Sequence, residues 1–269
     1  MKPLILLTND DGIFSEGLEA LERVLPEIGD LYVVAPDKER NATSHSLTLK
    51  GPVYVNPLGK NRFSTTGTPT DCVNIGIHRL VPRKPDLVVS GINIGGNLSE
   101  DVTYSGTVAA ALEARLLGIP SLALSLASRS DFFFVPAARV GCDLARWVLT
   151  LDLPPGVFLN VNVPNLVDGS GGRIRWTRLG RKFYGDFLKE GVDEDGRPDY
   201  RYGSDALKYL DREDANDADW KAVEQGYVSV TPLHLDTTDE NYLEFLKAGN
   251  YGETHLGQPG ACSTPEKHG

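Results

Sequence analysis

The chain has 269 residues, enough to bury a full core as one α/β domain or as a domain with an appendage, and its 41% hydrophobic and 24% charged residues are ordinary for a globular protein. Lys plus Arg total 27 against 37 Asp plus Glu, a formal net charge of −10. That balance argues against long nucleic acids as partners, because their phosphates must be neutralised, but it leaves room for a small phosphorylated ligand held through a local metal ion.

Leu4 to Leu7 is a short continuous apolar run, the pattern of a strand covered on both faces, and it ends in the turn-forming Thr8-Asn9-Asp10-Asp11-Gly12. The run is too short for a signal peptide or membrane span, so the expected location is cytoplasmic with no membrane partner. A helix follows, with Ser15 as N-cap and Leu18, Leu21 and Leu25 at helical spacing. Leu31 to Ala35 is a second strand, halted at Pro36-Asp37. Strand, loop, helix and strand in this order open a parallel α/β fold. Between Ser44 and Thr66 the rhythm breaks: Ser46 to Leu49 and Val53 to Val55 alternate around Gly51-Pro52, which predicts inserted antiparallel strands.

Regular α/β patterning resumes with a buried strand at Asp86 to Ser90 and an Ala-rich helix from Val108 to Leu117, capped by Ser105 or Thr107 and stopped by Gly118 and Pro120. Ser121 to Leu124 is a further strand, Ala137 to Leu149 a further helix, and Val157 to Val163 and Tyr227 to Thr231 are strands. The polar, Gly-rich and acidic segment between those last two strands predicts hairpins and loops projecting from the core, toward a partner subunit. Asp239 to Leu246 predicts a final helix, and residues 249–269, without apolar periodicity, a disordered tail. The expected organisation is one α/β domain over residues 1–248, with its core in about 1–150 and a hairpin and oligomerisation region in about 151–248. Cys72, Cys142 and Cys262 are far apart and form no zinc spacing, as suits a reducing compartment.

In a parallel α/β sheet, ligands bind outside the carboxyl ends of the strands. Three polar clusters follow apolar strands here, at Asn9 to Gly12, Asp37 to Ser46 and Ser90 to Thr107, and parallel neighbours would bring them to one crevice. Adjacent carboxylates such as Asp10 and Asp11 repel each other beside a buried strand end unless a cation compensates. Alone, Asn-Asp-Asp-Gly would read as a solvated turn; the convergence of three loops turns the reading toward a metal site. Two carboxylates with amide oxygens, for which Asn41 and Asn93 are best placed, form a hard oxygen set that prefers Mg²⁺, Mn²⁺ or Ca²⁺ to zinc.

Ser105-Gly106-Thr107 supplies a helix start at which unpaired N–H groups and the positive end of the dipole favour an anion, with Gly106 admitting a phosphate to the backbone; an ordinary N-cap is the plainer reading. Gly91 to Gly96 has the wrong glycine spacing for a dinucleotide fingerprint. His45 is the only histidine inside a cluster, suited to donating a proton or contacting phosphate, or else a plain surface residue. No serine lies in a G-x-S-x-G nucleophile elbow.

Thr8 to Gly12, Val34 to Arg40, Ser64 to Cys72, Ser90 to Asn93 and Ser105 to Val108 together resemble the SurE family of survival-protein phosphatases, in the family's order over residues 4 to about 125, and Gly226 to Pro232 resembles its last core strand. The resemblance implies a Rossmann-like, mostly parallel sheet with helices on both faces, projecting β-hairpins and an extended C-terminal region that exchanges elements in a homodimer or homotetramer. It implies a divalent-metal-dependent phosphatase acting on nucleoside 5′-monophosphates, with 3′-monophosphates and short polyphosphate as further substrates, and one Mg²⁺ or Mn²⁺ per subunit. By resemblance the metal ligands are Asp10, Asp11, Asn41 and Asn93, and the phosphate-binding pair is Ser105 and Gly106, with Asn9, Asn97 and Thr107 as neighbours. Many members carry Ser where this chain has Asn41, a departure that keeps an oxygen donor. The base and sugar are expected against the loop around Thr66 to Asp71 and the projecting hairpins. A non-catalytic nucleotide sensor using the same crevice is the alternative; it would need the phosphate cradle but not the paired carboxylates.

Overall fold

A computed structural model of the chain describes residues 2–165, 172–184, 188–202, 207–209 and 215–248; the expected tail at 249–269 lies outside them. The chain divides into a body, Met1–Leu235, and a second unit, Asp236–Gly269. In chain order the body runs β1 (Leu4–Thr8), α1 (Glu16–Val24), β2 (Asp30–Pro36), β3 (Val55–Gly59), β4 (Arg62–Thr65), α2 (Pro69–Ile75), β5 (Leu87–Ile94), α3 (Gly106–Leu116), β6 (Ser121–Ala127), α4 (Phe134–Val148) and β7 (Val157–Pro164). There follow β8 (Ile174–Trp176), β9 (Lys182–Tyr184), β10 (Leu188–Val192), β11 (Pro198–Tyr202), β12 (Leu207–Tyr209), α5 (Asp219–Glu224) and β13 (Val228–His234). The described part of the second unit holds α6 (Glu240–Ala248), whose Tyr242 N–H is capped by the Asp239 carboxylate at 2.9 Å.

The main sheet has the order β3-β4-β2-β1-β5-β6-β7-β13-β8. From β4 through β7 all neighbours are parallel; β3 is antiparallel to β4, and β13 is antiparallel to β7. The period-two alternation of a strand assigns the two faces. Ile5 and Leu7 of β1 pack in one core with Leu18 and Leu21 of α1 and Leu144 of α4, whereas Leu6 packs with Cys72 of α2 and Ala110 of α3 on the other face. Helices therefore cover both faces, as the continuous apolar runs require. The remaining strands form two antiparallel pairs, β10 with β11 and β9 with β12, separate from the main sheet, which are the expected hairpins.

The inserted antiparallel strands lie later in the chain than the alternation suggested. Ser46 to Leu49 forms no strand; Thr48 instead donates its N–H and hydroxyl to the Asp71 carboxylate at 3.1 and 2.6 Å. The hairpin is β3 and β4, reversing at Asn61, which takes the left-handed φ of 61° that Asn tolerates in turns. Helix α2 is also absent from the sequence-level pattern. It is announced by Thr68-Pro69-Thr70-Asp71: the Thr68 hydroxyl accepts from the Asp71 N–H at 3.1 Å, the Asp71 carboxylate accepts from the Thr68 N–H at 2.9 Å, and Pro69 fills the first turn. Among the described residues no helix is long and apolar enough to cross a membrane.

Candidate active site

From β1 the strand order runs to β2 on one side and to β5 on the other, so the carboxyl ends of β1 and β5 flank the topological switch point where open α/β sheets bind ligands. Asp10 and Asp11 follow β1, Asn93 lies near the end of β5, Asn41 follows β2, and Gly106 opens α3. The expected convergence of loops is therefore present.

Asp10 is only 4% exposed. Its Oδ2 accepts the Thr107 N–H at 3.1 Å, its Oδ1 accepts the Thr107 hydroxyl, and its own carbonyl accepts the Arg40 N–H at 2.7 Å. The carboxylate is thus seated on the first turn of α3, where unpaired N–H groups and the dipole favour negative charge. Gly106 is a packing requirement here: a Cβ on it would stand 2.9 Å from the Asp10 Cβ and 3.0 Å from the Thr43 hydroxyl. Asp11 Oδ2 accepts the Ile94 N–H at 3.2 Å, which ties the β1 loop to the end of β5.

Electrostatically the pair is uncompensated. Burial raises the Asp10 carboxyl above its ordinary value despite the Thr107 bonds. Burial first, and then the Asp10 charge, push Asp11 up to about 7. Among the described residues neither carboxylate has an ion-pair partner, and Glu39 adds a third negative charge nearby. A divalent cation fits such a place, because it supplies the missing positive charge. No group of three or more His, Cys, Asp or Glu able to hold a metal occurs among the described residues, so neutral oxygens must complete any ligand set. Asn93 suits that role: its Nδ2 donates to the Ile94 and Gly95 carbonyls at 3.2 and 2.8 Å, which commits its nitrogen to the loop and leaves its oxygen unbonded among the described residues. Asn41 is exposed, its Nδ2 donating to Glu39 Oε1, and it adjoins the Arg40 N–H that binds Asp10.

The phosphate end is equally specific. Ser105 caps α3, its Oγ accepting the Val108 N–H at 3.1 Å. Both donors of Thr107 are spent on Asp10, whereas the Gly106 N–H has no hydrogen-bond partner among the described residues. The Thr43 hydroxyl, which sequence reasoning passed over, is buried without a hydrogen-bond partner among the described residues, near where Gly106 meets Asp10.

The family model for survival protein SurE matches residues 5–186. The chain belongs to the SurE family. Its relative from Geotalea daltonii, named 5′-nucleotidase SurE, is 47% identical over 247 residues, 90% of this chain and 97% of the relative. One of the same name from Citrifermentans bemidjiense is 48% identical over 245 residues, 91% of this chain and 98% of the relative. The crystal structure of SurE protein from Aquifex aeolicus superposes with a TM-score of 0.80 at 40% identity, covering 91% of this chain and 99% of that one.

Within this SurE chain three of the expected residues are engaged away from the carboxylate pair. Asn9 folds the turn: its Nδ2 donates to the Gly12 carbonyl at 3.0 Å and to Ser15 Oγ at 2.7 Å, while its Oδ1 accepts the Gly12 N–H at 3.3 Å. Asn97 is clamped to β6 and β7, its N–H on Asn162, its Nδ2 on Ser125 and its carbonyl accepting from Asn160 and Asn162. His45 pairs with Glu113 at 2.6 Å, and Asn74 holds the other Glu113 oxygen at 2.6 Å. Glu113 stands seven residues beyond Gly106, roughly 10 Å along the helix axis, so His45 is drawn away from the helix start. Asp71, expected on a base-binding loop, is taken up by the α2 cap and by Thr48.

Proposed function

We propose that the protein is a divalent-metal-dependent nucleotidase, a phosphoric monoester hydrolase releasing phosphate from nucleoside 5′-monophosphates, with 3′-monophosphates and short polyphosphate as further substrates. The observation that carries this reading is the pair of buried Asp10 and half-buried Asp11, without a cationic partner among the described residues, beside the open N-terminus of α3. The names of the Geotalea and Citrifermentans relatives agree with it. One Mg²⁺ or Mn²⁺ per subunit would be held by Asp10, Asp11, Asn41 and Asn93. When bound it supplies a Lewis acid for phosphoryl oxygens and lowers the pKa of water.

The chain's own residues supply the rest. Thr107 fixes the orientation of Asp10 through two donors. The Gly106 N–H, the Ser105 hydroxyl and the unpartnered Thr43 hydroxyl are donors for the phosphate oxygens, on which charge grows during transfer. Asn9 and Asn97 act by holding the surrounding loops, and His45 by pinning its loop to α3. The paired carboxylates disfavour a sensor, since a phosphate cradle alone would bind the anion better without them.

The buried free thiols Cys72 and Cys142 support a cytoplasmic location. The exposed Trp147 and Trp176, with ring centroids 5.4 Å apart at the β8 edge, support a homodimer or homotetramer. The test is phosphate release from a panel of nucleoside monophosphates with Mg²⁺, Mn²⁺ or chelator, on wild type and Asp10→Asn. Turnover that chelation and the substitution both leave intact overturns the reading.

A further inference from the structure

A cavity of about 370 Å³ opens where the chain leaves β5, within the roughly 300–1,000 Å³ usual for small-molecule pockets. Its near rim is Gly95 and Gly96, which continue the strand carrying Asn93. Gly95 follows Asn93 by two residues, at most about 7 Å at the rise of a strand, so the cavity rim lies within about a sugar's length of a proposed metal ligand.

The far wall is aromatic. Tyr209 of β12 and Trp220 of α5 stack with ring centroids 4.0 Å apart and planes 8° from parallel. Lys182, at the base of the hairpin region, lies 5.9 Å over the Tyr209 ring and is paired with Asp101, which anchors that wall to the loop after β5. Besides Lys182 and Asp101, two further charged residues line the same cavity, Arg129 after β6 and Glu224 at the end of α5. Both are exposed, and neither has an ion pair or hydrogen bond among the described residues, not even with the other. Both charges are felt at the Tyr209 hydroxyl, with opposite sign.

An aromatic wall, a cation that only donates and an anion that only accepts form a recognisable set. Guanine offers the complement: O6 and N7 accept from an arginine fork, N1–H and the exocyclic amine donate to a carboxylate, and its faces pack on aromatic rings. Adenine presents an amine where the arginine needs an acceptor. We propose that this cavity is the nucleobase pocket of the nucleotidase site and that it selects guanine nucleotides, with Tyr209 and Trp220 as the packing wall and Arg129 and Glu224 as the specificity residues. The assignment rests on the nucleotidase reading for its phosphate end, but not for its base end.

The test measures guanosine and adenosine, nucleosides without phosphate, by titration calorimetry on the full chain, for wild type, Arg129→Ala, Glu224→Gln and Tyr209→Ala, with thermal melts alongside. Wild type is expected to bind guanosine about 5- to 150-fold more tightly than adenosine, the range of a good bidentate contact. Arg129→Ala or Glu224→Gln, at exposed positions that do not threaten folding, should erase that preference. Tyr209→Ala should weaken both nucleosides by a similar factor. No nucleoside binding, equal binding of the two, or affinities indifferent to Arg129→Ala and Glu224→Gln overturns the assignment. Failure of the nucleotidase reading looks different: guanosine binds selectively, but no phosphate is released from its monophosphate.

Discussion

Thr107 gives both of its donors to Asp10, the N–H to Oδ2 at 3.1 Å and the hydroxyl to Oδ1. The pairing joins the loop after β1 to the first turn of α3 across 97 residues of sequence. One consequence is that the carboxylate and the helix start cannot shift independently. Another is that, on the proposed reading, Thr107 would act through Asp10 and leave Gly106 and Ser105 to face a phosphate. Thr107→Val removes the hydroxyl at nearly constant volume, and we expect it to weaken Mn²⁺ binding and to lower kcat by about tenfold or more, while the N–H bond persists. Calorimetric metal titration with steady-state kinetics checks this.

The raised carboxyls make the metal-free protein pH-sensitive in a defined direction. Asp11 titrates near 3.8 when unfolded and about 7 when folded, and Asp10 shifts the same way. A group whose folded pKa is raised contributes stability that is fully present below the unfolded value and is lost as pH rises through the folded one. Asp86 and Glu113, lowered by Arg83 and His45 respectively, act oppositely but only in more acidic solution. Between pH 5 and pH 8 the melting temperature of metal-free protein should therefore fall. Asp11→Asn should flatten that slope, and Mg²⁺ or Mn²⁺ at pH 8 should restore the lost stability. Melting curves at several pH values, with and without metal, decide it.

Gly106→Ala separates packing from propensity. Alanine favours the helix by about 1 kcal/mol over glycine in a helix interior, but its methyl would press on the Asp10 side chain at 2.9 Å and on the Thr43 hydroxyl. We expect activity to fall at least about tenfold, as for a misplaced catalytic group, with a change in melting temperature of only a few degrees. Equal losses in both would point to a purely structural glycine.

Ser105 invites a paired comparison. Its Oγ accepts the Val108 N–H, so Ser105→Ala should cost about 1 kcal/mol from the lost cap, whereas Ser105→Gly costs only a few tenths. If the hydroxyl also serves the phosphate, both variants should be slow, by roughly 10²-fold in kcat. Recovery of turnover in the glycine variant would reduce Ser105 to a cap.

Asp71 tests the scaffold away from the chemistry. It is buried and accepts the Thr48 N–H and hydroxyl and the Thr68 N–H, holding the segment before β3 against α2. Asp71→Ala should destabilise the fold by about 3 kcal/mol, since buried donors lose a charged acceptor. Denaturant unfolding measures the loss. The residual folded protein should retain its metal affinity, because Asp71 does not touch the carboxylate pair.

Much of this was legible along the chain. The continuous run Leu4 to Leu7 meant a strand covered on both sides, and the turn after it put Asp10 and Asp11 at the strand's carboxyl end. Ser15 and Ser105 are caps whose chemistry is local, and a capping oxygen three residues before its N–H needs no tertiary partner to be recognised. What distance along the chain concealed was settled by packing. The alternation at Ser46 to Leu49 had strand character, yet Asp71 captured Thr48, and the hairpin formed where Asn61 could reverse the chain beside β2. Asn97 and His45 carry the right atoms for a site, but their partners at Ser125 and Glu113 come from other elements, and only the assembled fold says which bond each makes. The carboxylate pKa values belong to the same class. Residue type sets the reference near 4, whereas burial at the carboxyl end of β1 beside β5, with the Asp10 charge adding to it, moves Asp11 to about 7, because desolvation depends on what the whole fold places around a group.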